Sequence, residues 1–206
     1  MTARFDLTGY IGEGNATSEA VGQFLSTNPG PVLVVVNSAG GSATDGAAIA
    51  AEFARHGQVE CLVQGVAASA ASYVTIGANS ILMHTDAVLM IHEPSAFVGG
   101  TSGALRDAAD ILEKLSGIYA AGYARATGQP VARIAAWMAA ETWLSADEAL
   151  ALNFCDGIEG TQQGPTMVAA HDYSTFKAAP AHLVQMAQQN GWVTTSPETG
   201  KRKSKP

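Results

Sequence analysis

The chain has 206 residues, enough for one domain with a complete core and a short appended segment. Apolar residues make up 47% and aromatic ones only 7%, and alanine and glycine are plentiful, so close packing of elements is favoured over aromatic clustering. Four of the 11 basic residues stand together at Lys201, Arg202, Lys203 and Lys205; against 18 acidic residues the other seven leave residues 1–200 at −11, a charge that repels nucleic acid and anionic membranes.

Strand-like and helix-like stretches alternate along the chain. Phe5–Ile11 reads as a strand ending in Gly12-Glu13-Gly14-Asn15, and Ala16–Leu25 as a helix with Val21, Phe24 and Leu25 on one face. Pro29-Gly30-Pro31 breaks it. Val32–Val36 is a continuous apolar run, as expected of a parallel strand covered on both faces. Asn37–Ser42 is expected to turn the chain into a helix over Thr44–Arg55. Val59–Gln64 reads as a strand, Gly65 as a sharp turn, and the Ser- and Ala-rich segment after it as a helix with Ser69 at its start. Ile81–Met83 and Val88–Ile91 are short strands. The pattern predicts an α/β fold of stacked right-handed β-α-β units.

After Pro94 the character changes. Ser95–Gly103 is glycine-rich and expected to be extended. Ala104–Thr127 carries apolar residues at helical spacing and stops before Gly128 and Pro130, giving a helix of about 24 residues and about 36 Å. That is long for one layer, so it is expected to project and pack on another subunit. Val131–Ala140 and Ser145–Leu152 read as helices, the second with a capping box between Ser145 and Glu148. Phe154–Ile158 is a last short strand. Residues 1–160 thus form the main domain, and 161–206 a linker, a terminal helix within 175–190 and a disordered basic tail from Thr194.

Acyl transfer at neutral pH needs a nucleophile, a base, a group that orients the base and donors for the oxyanion. Ser69 is the candidate nucleophile, because a strand-to-helix junction presents it at the carboxyl edge of a sheet beside a helix N-terminus. A serine there also serves as an ordinary N-cap. Among five histidines His92 is placed best: it ends the strand 88–91 at the same edge, whereas His56, His84, His171 and His182 lie in turns or polar contexts. Gly40 and Gly41 leave that edge after strand 32–36 and can offer free N–H groups, and the N–H of Ala70 is a second donor. Ser72 is the alternative nucleophile, although one turn into a helix its hydroxyl is expected to bond the backbone.

The succession Asn37-Ser-Ala-Gly-Gly41, Gly65-Val-Ala-Ala-Ser-Ala-Ala71, Met90-Ile-His-Glu-Pro94 and Trp143-Leu-Ser-Ala-Asp-Glu-Ala149 resembles the proteolytic subunit of the Clp family of serine peptidases. It is most similar to the ClpP-related head maturation proteases of tailed phages and prophages. The resemblance spans roughly residues 5–160. It implies a ClpP/crotonase-like fold, a Ser-His-acid triad and peptide-bond hydrolysis with no metal or nucleotide bound to this subunit, whether independent of ATP or assisted by an unfoldase. It also implies a homo-oligomeric ring or stacked rings with helix 104–127 as the handle, and a strand near 97–103, including Val98, Gly99 and Gly100, that binds an extended peptide beside Gly40. Implied substrates are phage head proteins such as scaffold or capsid precursors, and the implied location is the bacterial host cytoplasm or the phage prohead.

The family's acid falls by spacing on Glu141, where aspartate is usual; Asp147 and Asp86 stand behind it. Ala39 replaces a common proline before Gly40-Gly41, which is expected to loosen that loop. Three rivals stay open: an acyl-CoA enzyme of the crotonase group, a Ser-Lys peptidase using Lys114 or Lys177, and an inactive assembly protein with the same fold. Cys61 and Cys155 read as reduced core thiols of a cytosolic protein, and no signal peptide is visible at the N-terminus. Residues 61–85 lack Asp, Glu, Lys and Arg, but Gln64, Asn79, Ser80 and His84 interrupt them, so burial in a soluble domain is expected.

Overall fold

The computed structural model describes residues 2–160 and 168–193, and the chain divides into two compact units between Ala169 and Ala170. In the first unit β1 (Ala3–Ile11), β2 (Val32–Gly41), β3 (Val59–Ala68) and β4 (Ser80–His84) pair in parallel in that order, with β7 (Gly157–Glu159) on β4. Helices α1 (Ser18–Thr27) and α2 (Ala43–His56) make the crossovers. They bury Val21 and Leu25, and Ile49 and Phe53, against the sheet. Each side chain of that size contributes about 1.5–3 kcal/mol when fully buried. The ends of α2 carry the expected signals: Ser42 Oγ accepts from the Asp45 N–H, and Gly57 closes the helix in the left-handed conformation.

What positions the site is a fork in β3. Residues Glu60–Val63 pair with β4, but Val66–Ala68 pair with β5 (Val88–Ile91). One strand therefore serves two neighbours and its tip bends away from the first. On the other side β2 slips register between Val36 and Ser38, and the Asn37 side-chain oxygen accepts the Val66 N–H at 3.2 Å. A polar side chain thus fills the gap in the ladder, as a buried donor requires. On β5 lies β6 (Thr142–Ser145), antiparallel and absent from the sequence reading.

Several expectations are corrected. Asn37–Ser42 is not a turn: β2 continues through it to Gly41, paired with β1 up to Ile11↔Gly41 across a bulge, so Ala39 stands in a paired strand rather than a loose loop. Gly65 is likewise inside β3, which ends only at Ala68. Thr101 Oγ1 caps α4 (Ser102–Thr127), so the residues expected as a strand near 97–103 are irregular up to Thr101 and helical beyond it. The stretch 61–85 is β3, α3 (Ala70–Thr75) and β4, and among the described residues no helix is long and apolar enough to cross a membrane.

Helix α4 has 26 residues and buries residues only in its C-terminal third, from Tyr119 onward. The part before Tyr119 projects, with Leu105, Ile111 and Ile118 exposed. It is followed by α5 (Val131–Ala140) and by α6 (Ala146–Ala151), whose Ser145–Glu148 capping box is formed as expected. Cys61 and Cys155 are buried free thiols. The second unit contains a 3₁₀ turn at Tyr173–Thr175 and α7 (Ala181–Gln189), shorter than the helix expected within 175–190 because Pro180 sets its start. The expected linker at 161–165 and the tail from Thr194 lie outside the described residues.

Candidate active site

Because β3 ends at Ala68 and α3 begins at Ala70, Ser69 stands alone in the turn, with φ 55° and ψ −127°. That backbone region is open to glycine and costs a residue with a Cβ about 1–3 kcal/mol. Its hydroxyl makes no capping bond to the helix it precedes. Instead Ser69 Oγ lies 2.8 Å from His92 Nε2, so the ordinary N-cap role fails for this side chain. The turn is pinned to the strand that delivers the histidine: the Ser69 N–H donates to the Met90 carbonyl at 3.0 Å, two residues before His92.

His92 is half-buried at the end of β5. Burial holds its pKa below the usual histidine value, and the charges of Glu141 and Glu93 oppose that shift only in part. The imidazole is therefore uncharged at neutral pH, the form able to accept a proton. In the antiparallel pair Ile91 faces Thr142, so the next pair outward brings Glu141 opposite His92. Glu141 ends α5 in the left-handed conformation, φ 56° and ψ 78°. The three described non-glycine residues with positive φ are Ser69, Glu141 and Asn153, and two of them meet here.

The other acids are elsewhere. Asp86 precedes β5 at its far end, six residues or about 20 Å from His92, beside His84 Nδ1. Asp147 follows Ser145, which faces Val88 at that same far end, and it is exposed. His56 Nε2 is bound to the Asn28 carbonyl and His171 Nε2 lies near Thr175 Oγ1, local contacts in both cases. Lys114 lies on α4 and does not line the cleft at the serine, and Lys177 belongs to the second unit. Ser72 is fully buried, and its hydroxyl donates to backbone carbonyls as expected.

Ser69 and His92 open onto a cleft of about 210 Å³ that Gly41, Ala70, Tyr10 and Tyr119 also line. As the first residue of α3, Ala70 has an N–H with no acceptor in its own helix. The two glycines divide their tasks. The Gly40 N–H donates to the buried Ser38 Oγ at 3.1 Å, so it is not offered to a ligand. What Gly40 supplies is room: a Cβ there would come within 2.6 Å of Ser69 Cβ and 2.7 Å of the Ala68 carbonyl, at φ +104°. Gly40→Ala is expected to cost about 3 kcal/mol or more through strain and overpacking. A chain of this length would then melt roughly 10 °C lower, which calorimetry checks.

Val98, Gly99 and Gly100 are exposed, do not line the cleft and belong to no strand, so the strand expected near 97–103 is not formed in the chain by itself. A strand forms only against a partner, and among the described residues these have none. Sequence reasoning missed Trp143, whose indole N–H donates to Glu141 Oε1 at 3.4 Å. Recognition of a strand at 142–145 would have found it, since residues two apart on a strand share a face. Among the described residues no group of three or more His, Cys, Asp or Glu is placed to hold a metal ion.

Comparison with known proteins gives concordant results. A family model described as Clp protease matches residues 15–162. The chain is 32% identical over 133 residues to the ATP-dependent Clp protease proteolytic subunit 2 of Thermobifida fusca, covering 62% of this chain and 64% of that one, so it spans just under two thirds of that relative's length. It is 35% identical over 143 residues to the ATP-dependent Clp protease proteolytic subunit 1 of Chlamydia trachomatis, covering 64% of this chain and 72% of that one. The fold is similar to a solved mutant ClpP1 from Listeria monocytogenes, with TM-score 0.67 and 22% identity over 77% of this chain and 92% of the other.

Proposed function

Since the chain belongs to the Clp protease family, we propose that it is a serine endopeptidase in which Ser69, His92 and Glu141 act as nucleophile, base and orienting acid. The observation that carries this reading is the 2.8 Å contact between an uncapped serine hydroxyl on a strained turn and an uncharged imidazole. An acyl-CoA enzyme of the crotonase type needs no such pair. His92 Nε2 takes the Ser69 proton as Oγ attacks the peptide carbonyl, and returns it to the leaving amine. Water then releases the acyl group by the same base. The N–H groups of Gly41 and Ala70 hold the oxyanion, each worth about a hundredfold to a thousandfold in turnover. Glu141, itself held by Trp143, keeps the ring oriented and stabilises the imidazolium.

The exposed apolar residues of the projecting α4 support its role as the contact between subunits of a homo-oligomeric ring. The finer reading is processing of phage head proteins, scaffold or capsid precursors, in the cytoplasm of a bacterial host, and it rests on the motif resemblance.

Labelling with a fluorophosphonate, followed by intact mass and peptide mapping, tests the chemistry. A single adduct on Ser69, absent from Ser69→Ala and His92→Ala, is expected; no adduct on folded, oligomeric protein would overturn the reading. Purified scaffold or capsid precursor cut at discrete sites would support the finer assignment. Degradation only of unfolded chains delivered by an ATP-driven unfoldase would point to general proteolysis instead.

The pH profile follows from the burial of His92. Only the neutral ring accepts the serine proton, and its pKa lies below the usual histidine value. The acid limb of kcat/KM is therefore expected below pH 6.5, with activity full above it and lost as pH falls through it. A limb at or above 6.5 would contradict the assignment of His92 as base.

A further inference from the structure

Ser72 and Tyr123 take no part in the chemistry, yet they touch the backbone of the nucleophile. Ser72 Oγ lies 2.7 Å from the Ser69 carbonyl, 2.7 Å from the Met90 carbonyl and 2.7 Å from Tyr123 Oη. Both side chains are buried almost completely, Ser72 at 0% exposure and Tyr123 at 1%. Two hydroxyls carry two protons, and two carbonyl oxygens bring none. If Ser72 gave its proton to Tyr123, its lone pairs would face both carbonyls at hydrogen-bond distance with nothing between. The arrangement without that repulsion runs one way: Tyr123 donates to Ser72, and Ser72 donates to the carbonyls of residues 69 and 90, sharing one proton between them.

The two carbonyls belong to the two elements whose separation sets the site. One is the strained turn of Ser69; the other is β5, two residues before His92. The Ser69 N–H already donates to the Met90 carbonyl, and the Ser72 hydroxyl, within reach of that carbonyl and of the Ser69 carbonyl, adds a second link between the same residues. Tyr123 is itself fixed, its ring edge-on to Tyr73 at 5.2 Å and against Phe154 at 5.9 Å. Burial pushes its phenol pKa up, so it keeps its proton at any working pH.

We propose that Tyr123 and Ser72 are positioning residues: a buried two-hydroxyl strap that holds the Ser69 turn against β5 and so sets the distance from Ser69 Oγ to His92 Nε2. The proposal rests on the peptidase reading above. Displacement of a reacting group by about 1 Å can cost about a hundredfold, so loss of the strap is expected to lower kcat ten- to a hundredfold. It leaves KM unchanged, because neither residue lines the cleft, and leaves the acid limb of the pH profile in place, because neither touches His92.

The test compares Ser72→Ala, Tyr123→Phe and the double variant by kcat, KM, fluorophosphonate labelling rate and melting temperature. Ser72→Ala strands the Tyr123 hydroxyl in the core and is expected to melt lower; the double variant removes both partners and is expected to recover stability, since deleting a matched pair is nearly neutral. The proposal requires that the double variant, though stable, stay as slow as the single ones, with losses far from additive. Recovery of kcat together with stability would overturn it and leave a purely structural role. Single and double variants as fast as the wild type would overturn it as well. In both cases an active wild-type enzyme leaves the peptidase reading standing, whereas a wild type that neither labels nor cleaves overturns both.

Discussion

Replacing Ser69 or His92 with alanine is expected to lower peptide turnover by about a million-fold, equivalent to roughly 8 kcal/mol of transition-state stabilisation. The double variant should be no slower than either single one, because nucleophile and base act as a unit. Whatever rate survives comes from the oxyanion donors and from binding. The fold is not expected to suffer, since the Ser69 hydroxyl makes no capping bond to α3. Ser69→Gly carries a further expectation. At φ 55° and ψ −127° glycine is at ease where serine is strained, so this variant should be inactive yet more stable by about 1 kcal/mol, a rise of roughly 2–4 °C in melting temperature. Stability gained with activity lost would identify the turn as one held in place for the sake of the reaction. Equal melting temperatures for serine and glycine would mean that the turn stores no strain.

Glu141→Gln is expected to cost about ten-thousandfold in kcat with little change in KM. An amide can still bond the ring, but it does not offset the charge that His92 gains in the transition state, and it is free to favour the wrong tautomer. Because the Glu141 charge raises the His92 pKa, its removal should also move the acid limb to lower pH. Asp86 and Asp147, both at the far end of β5, serve as controls, and their amide variants should stay within a few-fold of the wild type. A large loss from Asp147→Asn with an active Glu141→Gln would move the acid to the other position. Glu141→Asp tests the length of the side chain: the backbone at residue 141 is set by the end of α5 and by β6, so a carboxylate one methylene shorter is expected to restore only part of the rate.

Much of this molecule was legible in its residues because the physics concerned is local. The apolar run Val32–Val36 could belong only to a covered strand, Ser145 and Glu148 could cap a helix without reference to the rest of the chain, and Gly128 ended α4 where expected. The order of strands and helices, and the delivery of Ser69 and His92 to one sheet edge, followed from the same alternation. The resemblance of four short motifs supplied Glu141, which no spacing argument from the residues alone had singled out.

Other features were decided by partners distant in sequence. Asn37–Gly41 looks like a turn because its residues are small and polar, but pairing with β1 and the Ser38 bonds to Gly9 and Gly40 make it strand. Gly65 looks like a break, yet the fork to β5 carries β3 on to Ala68. Residues 97–100 are extended in expectation but have no strand to pair with among the described residues. Four-residue β6 is invisible as a pattern, and only its register on β5 brings Glu141 and Trp143 to the histidine. The sequence by itself determined which residues are candidates for the chemistry and in what order the elements run, since side-chain type and helical or strand period are properties of a short window. Only the tertiary structure decided which N–H is spent within the protein, how Ser69 is strained and strapped, and which acid faces His92, because those depend on distances between strands that the chain joins only after dozens of residues.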